Sequence, residues 1–572
     1  MRTLIIFLLM LNHEAGEAQD LIWGWALPTV GGGSEIAGLC MTPDGGTMVH
    51  GTFVSGTLDL DPSAASHFVT TTIGGFLPGS ATFIAKYDST GAFSWGYEYD
   101  TDEAFINQMA VTTVGEIVLA IVHTGTVDVD PTSNTHWASG SGTAIVRFNS
   151  SGSFSGAVEM PGLFQTRMKP RPDGGLYLLG SYLDQIDLGV LGLDTVVVSN
   201  GAWDAIVLSL DSQNQVAWVG SLGGAQNDYP QWLTARGDEL MVAVSHPWAG
   251  TYSMDSDPGV QYTPVQFDGG GVLMVKMDPY GNLLHSFPMD LDATQALRCE
   301  FLPDRSYVMT VNLYGNTLND ADPGPGTILV DSNLGQTLML KLDSLDQLIW
   351  HKQIEGTLSQ RIWDLDVLEG EKQMVITGHF WESIDLDVGE GVDLHSSNSN
   401  ISFFMAGYCI ENGTYDWGYS SDGDGVSCGY AIAGSKKGGL LIGGAGSSGM
   451  DLDPGANTFD PNNSVRNAIL AKYRPGPSCF EQLVGIDVGT SGSLPFTMFP
   501  NPCSDRIWVK TGHTPGMKWE WSMLDAIGTC IQRGVSSRPV LELDLNFLAP
   551  GAYHICLTDQ GSTSCGKIIV FE

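Results

Sequence analysis

Six pairs of aspartates recur along the chain, and the types and spacing of these residues could bind a cation. The pairs are Asp59/Asp61, Asp128/Asp130, Asp255/Asp257, Asp320/Asp322, Asp385/Asp387 and Asp451/Asp453. Residues i and i+2 of a strand point to the same side, so each pair can present two carboxylates together. Ca²⁺ takes roughly six to eight oxygen ligands, and nearby carbonyls or waters could supply the rest. The pattern therefore predicts a set of candidate Ca²⁺ sites.

The same phrase also has a purely structural interpretation. Five of the six pairs are followed directly by proline, as in "LDLDP" at 58–62. Asp before Pro favours turn initiation, and an Asp side chain can accept a hydrogen bond from the backbone two residues on. The spacing also lacks the longer pattern of an EF-hand loop. Both interpretations stay open from the sequence, and the turn is favoured.

The spacing of the pairs defines a repeat of about 65 residues. One interval is twice as long, and "QIDLGVLG" at 185–192 supplies the missing copy, with Asp187 kept and the second Asp lost. Seven units result. Each contains four alternating strands separated by polar turns, and no segment has sustained helical periodicity. Four antiparallel strands repeated in this way predict an all-β fold, a β-propeller; a linear β-solenoid is the alternative.

The N-terminal residues are predicted to close the ring. Unit 7 has its third strand, "ILAKY" at 469–473, but then reaches "RPGPSCF" with no fourth strand. Residues 21–32, "LIWGWALPTVGG", are similar to the fourth strands of other units. A ring closed by this segment would remove the exposed sheet edges of an open array. The prediction is a seven-bladed β-propeller over residues 19–476.

Composition excludes some functions. Asp and Glu number 64 against 25 Lys and Arg, and the net charge of −39 argues against nucleic acid, whose phosphates need basic residues. Residues 1–18 are predicted to be a secretory signal peptide cut after Ala18. No later run of about 20 apolar residues occurs, so no transmembrane helix is expected.

Two stretches resemble known families. The segment "MVHGTFVSGTLDLDP…FIAKYDSTGAFSW" (48–95) resembles the seven-bladed-propeller repeats of exported bacterial proteins, which implies the fold and no particular chemistry. The segments "FPNPCSDRIWVK" (499–510), "SMLDAIGTCIQRG" (522–534) and "LELDLNFLAPGAYHICL" (541–557) resemble the type A sorting domain of type IX secretion. The matching positions are Pro500, Asn501, Pro502, Asp525, Gly528, Leu548, Gly551, Tyr553 and Lys567.

The second resemblance implies a small Ig-like β-sandwich at 494–572, after a linker at 477–493. It also implies that the type IX translocon recognises this domain as a partner. In that family the domain is usually removed, and the cargo is released or attached to surface lipopolysaccharide. The expected location is therefore extracellular, secreted or anchored on the outer-membrane surface.

The cysteines predict disulfides and no zinc site. None of the nine forms a C-x-x-C, and export permits disulfides. Cys556 and Cys565 flank a turn centred on Gln560-Gly561, so we expect them to face each other across a hairpin. Cys503–Cys530 is a second candidate pair.

No catalytic constellation stands out in the sequence. The recurrent Trp23, Trp95, Trp218, Trp350 and Trp417 occupy equivalent places, which predicts packing between units. The irregular Trp232, Trp248, Trp363 and Trp381 are better candidates for a binding surface. Unit 3 is the most divergent, and its "RMKPRPDGG" at 167–175 is where residues that break the repeat for function would be sought.

The resulting interpretation is a secreted or surface-attached propeller that binds a glycan or a protein, with Ca²⁺ as a candidate stabilising ion. Binding is favoured over catalysis. The alternative is a polysaccharide-active hydrolase or lyase with carboxylates in the propeller funnel. Such an enzyme needs two carboxyls and a raised pKa on one of them.

Overall fold

Antiparallel strands form nearly all of the regular structure, as the alternating sequence predicts. In the computed structural model the described residues are 20–474 and 496–570. Gaps lie at 74–79, 247–249, 256–264, 268–269, 292–294, 314–317, 332–334, 369–371, 398–400, 422, 435–438, 456–457, 461–465, 500–505, 512–517, 525–529, 539, 546–547, 549–550 and 560–561. The chain divides into two compact units, Met1–Cys479 and Phe480–Glu572. The predicted signal peptide and linker lie outside the described residues.

The described part of the first unit contains seven antiparallel sheets, each with four main strands. In the order in which the strands pair, sheet 1 comprises Ser34–Met41, Thr47–Phe53, Ala81–Tyr87 and Phe93–Tyr99, and sheet 2 comprises Ala104–Val111, Ile117–Asp128, Trp137–Phe148 and Phe154–Pro161. Sheet 3 comprises Phe164–Pro170, Leu176–Asp187, Val196–Leu210 and Val216–Gly223. Sheet 4 comprises Tyr229–Arg236, Glu239–His246, Gly271–Met277 and Leu283–Met289. The others are sheet 5, Gln295–Phe301, Tyr307–Asn312, Thr337–Leu342, Leu348–Gly356; sheet 6, Gln360–Leu368, Gln373–Phe380, Ser402–Cys409, Tyr415–Ser421; sheet 7, Cys428–Gly434, Leu440–Gly446, Asn467–Arg474, and Asp20–Ala26. Such sheets are consistent with propeller blades.

The fourth strand of sheet 7 comes from the N-terminal end of the described chain. Asp20–Ala26 pairs antiparallel with Asn467–Arg474, with Asp20 opposite Arg474 and Ala26 opposite Ile469. Just beyond the strand, the backbone N–H of Leu27 donates to the carbonyl of Ala468 at 2.8 Å. This is the pairing that the missing fourth strand of unit 7 predicts.

Each sheet packs its apolar side chains against the next sheet in the chain. The seven main hydrophobic clusters of the first unit each combine residues of two neighbouring sheets. One of them joins sheet 7 to sheet 1, with Leu441 and Leu470 beside Ile36, Phe53 and Phe83. The first strands of neighbouring sheets also contact one another, including those of sheets 7 and 1.

Recurrent tryptophans pack between sheets, as predicted. Trp23, Trp95, Trp218 and Trp350 each lie in a fourth strand, and each indole rests on a glycine in a turn of the next sheet: Gly91, Gly152, Gly281 and Gly413 respectively. The Trp218 and Trp350 Nε1 atoms also donate to the carbonyls of Pro279 and Ile410, at 2.8 and 3.0 Å. The fifth member, Trp417, is buried and lies near Gln373 of its own sheet.

Short hairpins contain the acidic phrases, and several of these hairpins pair with strands of the preceding unit. Gly56–Asp59 pairs with Phe68–Thr71 and with Thr29–Val30, which follows the N-terminal strand. In the same way Gly250–Asp255, paired with Val265–Phe267, extends sheet 3, and Ser383–Asp385, paired with Leu394–Ser396, extends sheet 5. Leu318–Asp320 and Leu329–Asp331 form a separate hairpin, and Gly189–Leu191 is a short 3₁₀ turn.

The second unit contains two antiparallel sheets that share one core. One sheet comprises Phe496–Phe499, Arg506–Thr511 and Val540–Asp544; the other comprises Cys530–Ser536, Trp519–Leu524, Gly551–Asp559 and Ser562–Val570. Ile507 and Leu543 of the first sheet pack with Trp519, Ile555 and Ile568 of the second. Within the described ranges of the whole chain, no helix has the length and apolar character needed to cross a bilayer.

Candidate functional site

The acidic phrases form one repeated turn at the five pairs whose side chains are described. The first aspartate of each pair accepts two backbone N–H bonds through Oδ1, from the residues two and eight positions later, at 2.7–3.1 Å. These first members are Asp59, Asp128, Asp320, Asp385 and Asp451. The pair Asp385/Asp387 has the same bonds although Val388 replaces proline, so the carboxylates and not the proline define the turn.

The second aspartate of each pair is also an acceptor for the backbone. Asp61 and Asp130 each accept the N–H of the residue two positions later at 2.9 Å. The Oδ1 atoms of Asp322, Asp387 and Asp453 each accept the N–H of a glycine two positions later at 2.8 Å. In all five pairs the carboxylates are therefore directed at the backbone of their own turn.

The residue between the two aspartates anchors the turn in the core. Leu60, Val129, Leu386 and Leu452 are all at most 1% exposed. Their carbonyls accept hydrogen bonds from the buried hydroxyls of Tyr87, Tyr99, Tyr408 and Tyr473, respectively, at 2.8–3.2 Å. Each of these four phrases therefore combines a buried apolar residue with carboxylates that accept the backbone N–H groups of the turn, which is a structural reason for their recurrence.

In the described part of the chain, the paired aspartates do not belong to a larger cluster of metal-binding side chains. Among the described residues, no group of three or more His, Cys, Asp or Glu side chains could hold a metal ion. Each turn supplies its own N–H donors to the carboxylates of the pairs whose side chains are described, which agrees with the turn interpretation. These pairs are Asp59 and Asp61, Asp128 and Asp130, Asp320 and Asp322, Asp385 and Asp387, and Asp451 and Asp453. Binding through carbonyls or waters stays a prediction.

Two copies of the phrase stand apart from these five. The side chain of Asp255 and all of Asp257 lie outside the described residues. Asp187, in the degenerate copy, keeps the first bond only, from the N–H of Gly189 at 2.8 Å.

Asp59 provides a direct test of the turn. Replacing it with alanine removes the acceptor of the Asp61 and His67 N–H groups, and we expect the free energy of unfolding to fall by roughly 2–3 kcal/mol. Asp59→Asn keeps an oxygen at the same place and should cost less than about 1 kcal/mol. Calorimetry of the full chain measures both, with the exposed Asp102→Ala as control. Equal losses in the two Asp59 variants would contradict the acceptor role.

Calcium provides the complementary test. Because Oδ1 of each first aspartate already accepts two N–H bonds, we expect the melting midpoint of the full chain to be the same in EDTA and in excess Ca²⁺. An ion that binds the folded state raises the midpoint by mass action. A rise of several degrees, lost in a variant with both Asp128 and Asp130 replaced by asparagine, would instead establish the acidic turns as cation sites.

A second candidate site is the inner cavity, which we define as the space between the first strands of the seven sheets. It has a volume of about 430 Å³. Each first strand has a register irregularity of the β-bulge type near its start. Bulges re-aim the side chains that follow them. In every sheet, residues that follow the bulge line the cavity.

Charge is distributed unevenly around the inner cavity. Sheets 3, 5 and 6 contribute ionisable side chains: Arg167, Lys169, Arg298, Glu300, Asp364 and Asp366. The corresponding positions of sheets 7, 1 and 2 are small or uncharged: Ala431, Ala433, Gly38, Cys40, Gln108 and Ala110. The cavity therefore has one wall of charged residues and one wall of small or uncharged residues. This difference departs from the repeat, and side chains that only filled the space would not require it.

Contacts across the charged wall join different sheets. Lys169 Nζ lies 2.6 Å from Glu300 Oε1, and Thr234 Oγ1 donates to Glu300 Oε2 at 2.9 Å. Arg298 Nε lies 3.4 Å from Asp364 Oδ1. Asp364 and Asp366 each accept a backbone N–H of sheet 7, from Ile432 at 3.0 Å and Gly434 at 2.6 Å.

Burial in the cavity shifts the pKa values of several side chains in this wall. Burial raises the pKa of Asp366 to about 7 and raises the pKa of Asp364, although Arg298 opposes the latter. Burial and the neighbouring Arg298 lower the pKa of Arg167 to about 10. At neutral pH the wall therefore keeps its cations while Asp366 is partly protonated.

Irregular aromatics line or border the same space. The Trp232 ring lies under the Arg298 guanidinium, 4.5 Å from the centroid, and its Nε1 donates to the Cys299 carbonyl at 2.7 Å. Trp363 donates to His379 Nδ1 at 2.7 Å and packs edge-on to Tyr430, another lining residue. Trp381 packs against His379 at 4.6 Å. Trp248 lies outside the described residues.

Sequence reasoning located part of this site. The divergent "RMKP" segment of unit 3 supplies Arg167 and Lys169. Arg298, Glu300, Asp364 and Asp366 were missed. These residues could have been recognised in the sequence, because they are the second and fourth residues of the corresponding segments "LRCEF" and "WDLDV" in the first strands of their units. An alignment of the first strands of all seven units would have found them.

Several predicted sorting residues fall in the described part of the second unit. Leu548 and Tyr553 pack on its core, and Gly551 begins a strand in which Tyr553 lies opposite Ile568. The backbone of Lys567 pairs with that of His554. Pro500, Asn501, Pro502, Asp525 and Gly528 lie outside the described residues.

The cysteines of the second unit agree with a cross-strand disulfide. Cys556 is disulfide-bonded, and the strand register places Cys565 directly opposite it. The identity of its partner stays a prediction, as does Cys503–Cys530, because Cys503 and the side chains of Cys530 and Cys565 lie outside the described residues. Cys409 is also disulfide-bonded, which the sequence analysis missed.

Comparisons with known proteins identify the C-terminal segment. Residues 497–571 match the model of the secretion system C-terminal sorting domain. No curated protein matches the chain. The protein is therefore handled by type IX secretion and exported to the cell surface or the extracellular medium.

Solved structures with similarity to the chain are distant. They include PorZ, a surface component of the type IX secretion system of Porphyromonas gingivalis, at 10% identity over 96% of this chain and 100% of that chain, with a TM-score of 0.16. An ulvan lyase is 11% identical over 79% of this chain and 96% of that chain, with a TM-score of 0.35. The WD40 domain of Toxoplasma gondii coronin is 10% identical over 81% and 91%, with a TM-score of 0.27.

Proposed function

We propose that this exported protein is a closed seven-bladed β-propeller that binds a glycan in its inner cavity. In this proposal residues 1–18 are the signal peptide, 19–476 the propeller, 477–493 the linker and 494–572 the sorting domain. Ring closure is supported by the pairing of Asp20–Ala26 with Asn467–Arg474 and by the cluster that joins sheets 7 and 1.

The uneven wall of the inner cavity carries the binding proposal. A propeller axis needs only side chains that fill it, and small residues do so in sheets 7, 1 and 2. The other wall instead concentrates ionisable groups and the Trp232 ring, and the amides of Asn107 and Gln108 in sheet 2 also line this cavity of about 430 Å³. Concave sites with an aromatic surface and a few convergent polar groups are typical ligand sites, and a glycan presents both apolar ring faces and hydroxyls to such a surface.

A polysaccharide-active hydrolase or lyase is the second candidate, favoured by one observation. Asp364 and Asp366 are neighbours on one strand, and the pKa of Asp366 is raised to about 7, as a general acid requires. Both carboxylates, however, accept backbone N–H bonds from sheet 7, which gives them a structural role. Binding without catalysis therefore remains the first proposal.

Glycan-array screening of the full chain tests the proposal. We expect at least one glycan class to bind, and Trp232→Ala to weaken that binding at least about 10-fold by removing an aromatic contact surface. Trp137→Ala is the matched control, since Trp137 is 58% exposed on sheet 2 and does not line the cavity. Melting midpoints confirm that both variants fold. Binding that survives Trp232→Ala, or no binding at all, would overturn the proposal.

The same ligands distinguish binding from catalysis. Incubation with the bound polysaccharide should leave its chain length unchanged. If new reducing ends or unsaturated products appear with the wild type and disappear in Asp366→Asn, the enzyme interpretation replaces the first.

A further inference from the structure

Arg167 is a cation of the inner cavity that none of the described carboxylates neutralises. Its Nε donates to the Gln231 carbonyl at 3.2 Å, and one terminal nitrogen donates to the Thr166 carbonyl at 3.4 Å. Within the described part of the chain, no Asp or Glu oxygen lies within 4.0 Å of its guanidinium. Two neutral carbonyls leave its positive charge without a counter-ion.

The neighbouring cations differ from Arg167 in this respect. Lys169 is paired with Glu300 at 2.6 Å, and Arg298 faces Asp364 at 3.4 Å. Instead of an acid, Arg167 has the like charge of Arg298 beside it, and burial together with that repulsion lowers its pKa. Holding an unpaired charge in a cavity is costly, so a partner from outside the protein is the simplest reason for keeping it.

The overall charge of the protein makes an unpaired cation at this position more unusual. The protein has a net charge of −39, and acidic residues outnumber basic ones by 64 to 25. The unpaired charge of Arg167 inside such a protein selects its ligand by short-range contact, because the long-range field repels anions. The planar guanidinium matches the two oxygens of a carboxylate or sulfate group, which it can bind bidentately.

We propose that Arg167 binds the anionic group of an acidic glycan, a carboxylate or a sulfate, beside the Trp232 ring in the inner cavity. This inference rests on the proposed glycan-binding function and adds the charge class of the ligand. Arg298, stacked on Trp232 and facing Asp364, borders the same position. Neutral glycans lack the group that the Arg167 guanidinium would pair with.

Titration calorimetry of the full chain tests the inference with three probes. The probes are tri-galacturonic acid, the neutral galactose trisaccharide of equal length, and inorganic sulfate. Arg167→Gln is the test variant. Arg171→Gln is the matched control, because Arg171 lies on the same segment but pairs with Asp173 at 2.6 Å and does not line the cavity. We expect the acidic trisaccharide to bind at least about 10-fold more tightly than the neutral one, and Arg167→Gln but not Arg171→Gln to remove that preference.

The outcomes separate this inference from the proposed function. Equal binding of acidic and neutral trisaccharides would overturn the anion site while leaving glycan binding intact. Binding of sulfate that depends on Arg167, without binding of either trisaccharide or of any array glycan, would keep the anion site and overturn the glycan function. Absence of any Arg167-dependent binding, of sulfate or of the acidic trisaccharide, would overturn the anion site.

Stability of the ligand-free protein gives a second readout. Since the charge of Arg167 is uncompensated, Arg167→Met should leave the melting midpoint unchanged or raise it by about 1–3 °C. A purely structural arginine would show the opposite, a lower midpoint. A clear fall in the midpoint of Arg167→Met, together with unchanged ligand binding, would identify a packing role and contradict the inference.

Discussion

Replacing Gly152 with valine should destabilise the first unit by roughly 3–5 kcal/mol, through strain and overpacking together. Gly152 has a φ of +86°, which side chains with a branched Cβ rarely adopt. A Cβ at this position would lie 2.6 Å from the Trp95 ring of the preceding sheet. Calorimetric unfolding of the full chain measures the loss in the transition of the first unit.

Gly140 supplies the control for this experiment. Its φ is +90°, in the same sheet, and a Cβ there would meet nothing within 4 Å. Gly140→Ala should therefore cost only the backbone strain, about 1 kcal/mol, whereas Gly152→Ala should cost clearly more. Similar losses for the two alanine variants would show that the indole contact between sheets contributes little.

Removing the N-terminal strand should have the largest effect. A chain that lacks Asp20–Ala26 leaves Asn467–Arg474 as an exposed edge and removes the contacts that Trp23 and Trp25 make with sheet 1. Trp25 lies 4.5 Å from the Tyr87 ring, and its Nε1 donates to the Gly91 carbonyl at 3.3 Å. These losses exceed the roughly 5–15 kcal/mol that stabilises a typical domain. We expect the first unit to lose its cooperative thermal transition.

A rearranged chain distinguishes loss of the strand from loss of residues at that end. Residues 20–33 placed directly after Gly476 could form the same strand as the last member of a hairpin with Asn467–Arg474. This variant should recover most of the wild-type midpoint if strand pairing between the two ends is what stabilises the unit. A deletion variant that melts like the wild type would show that the first unit does not depend on this strand.

The repeat itself determined much of the local structure. The alternation of apolar and polar residues, together with the turn residues, predicts the strands. The reason is that the burial of side chains follows the two-residue period of each strand. The acidic turn could also be predicted from the sequence, because the backbone N–H groups that donate to the aspartate lie within eight residues of it. Even the Trp23 segment could be assigned to sheet 7, because one unit lacked a strand and the other end of the chain supplied one.

The second aspartates show where the same local pattern leaves two interpretations open. The i, i+2 spacing is compatible with Asp322, Asp387 and Asp453 sharing a cation with the aspartate before them, while the following residues favour a turn. In the structure each of them accepts the N–H of its own turn at 2.8 Å, and cation binding stays a prediction. Spacing along a strand predicts which side a carboxylate faces, but the contacts it makes there depend on how the chain turns after it.

Only the tertiary structure decided which residues form the inner cavity. Lys169 and Glu300 lie 131 positions apart and meet because the first strands of successive sheets come together at one axis. Which of their side chains face the cavity depends on the bulge in each strand, and a bulge changes the facing of every residue after it.

Pairing partners were likewise decided by tertiary structure. Arg167 resembles any other arginine of unit 3 in the sequence, and only its position beside Arg298, away from every described carboxylate, distinguishes it. The sequence by itself determined the strands, the turns and the export signal, because these depend on neighbours along the chain. The tertiary structure determined the uneven cavity wall, because charge and burial depend on neighbours in space.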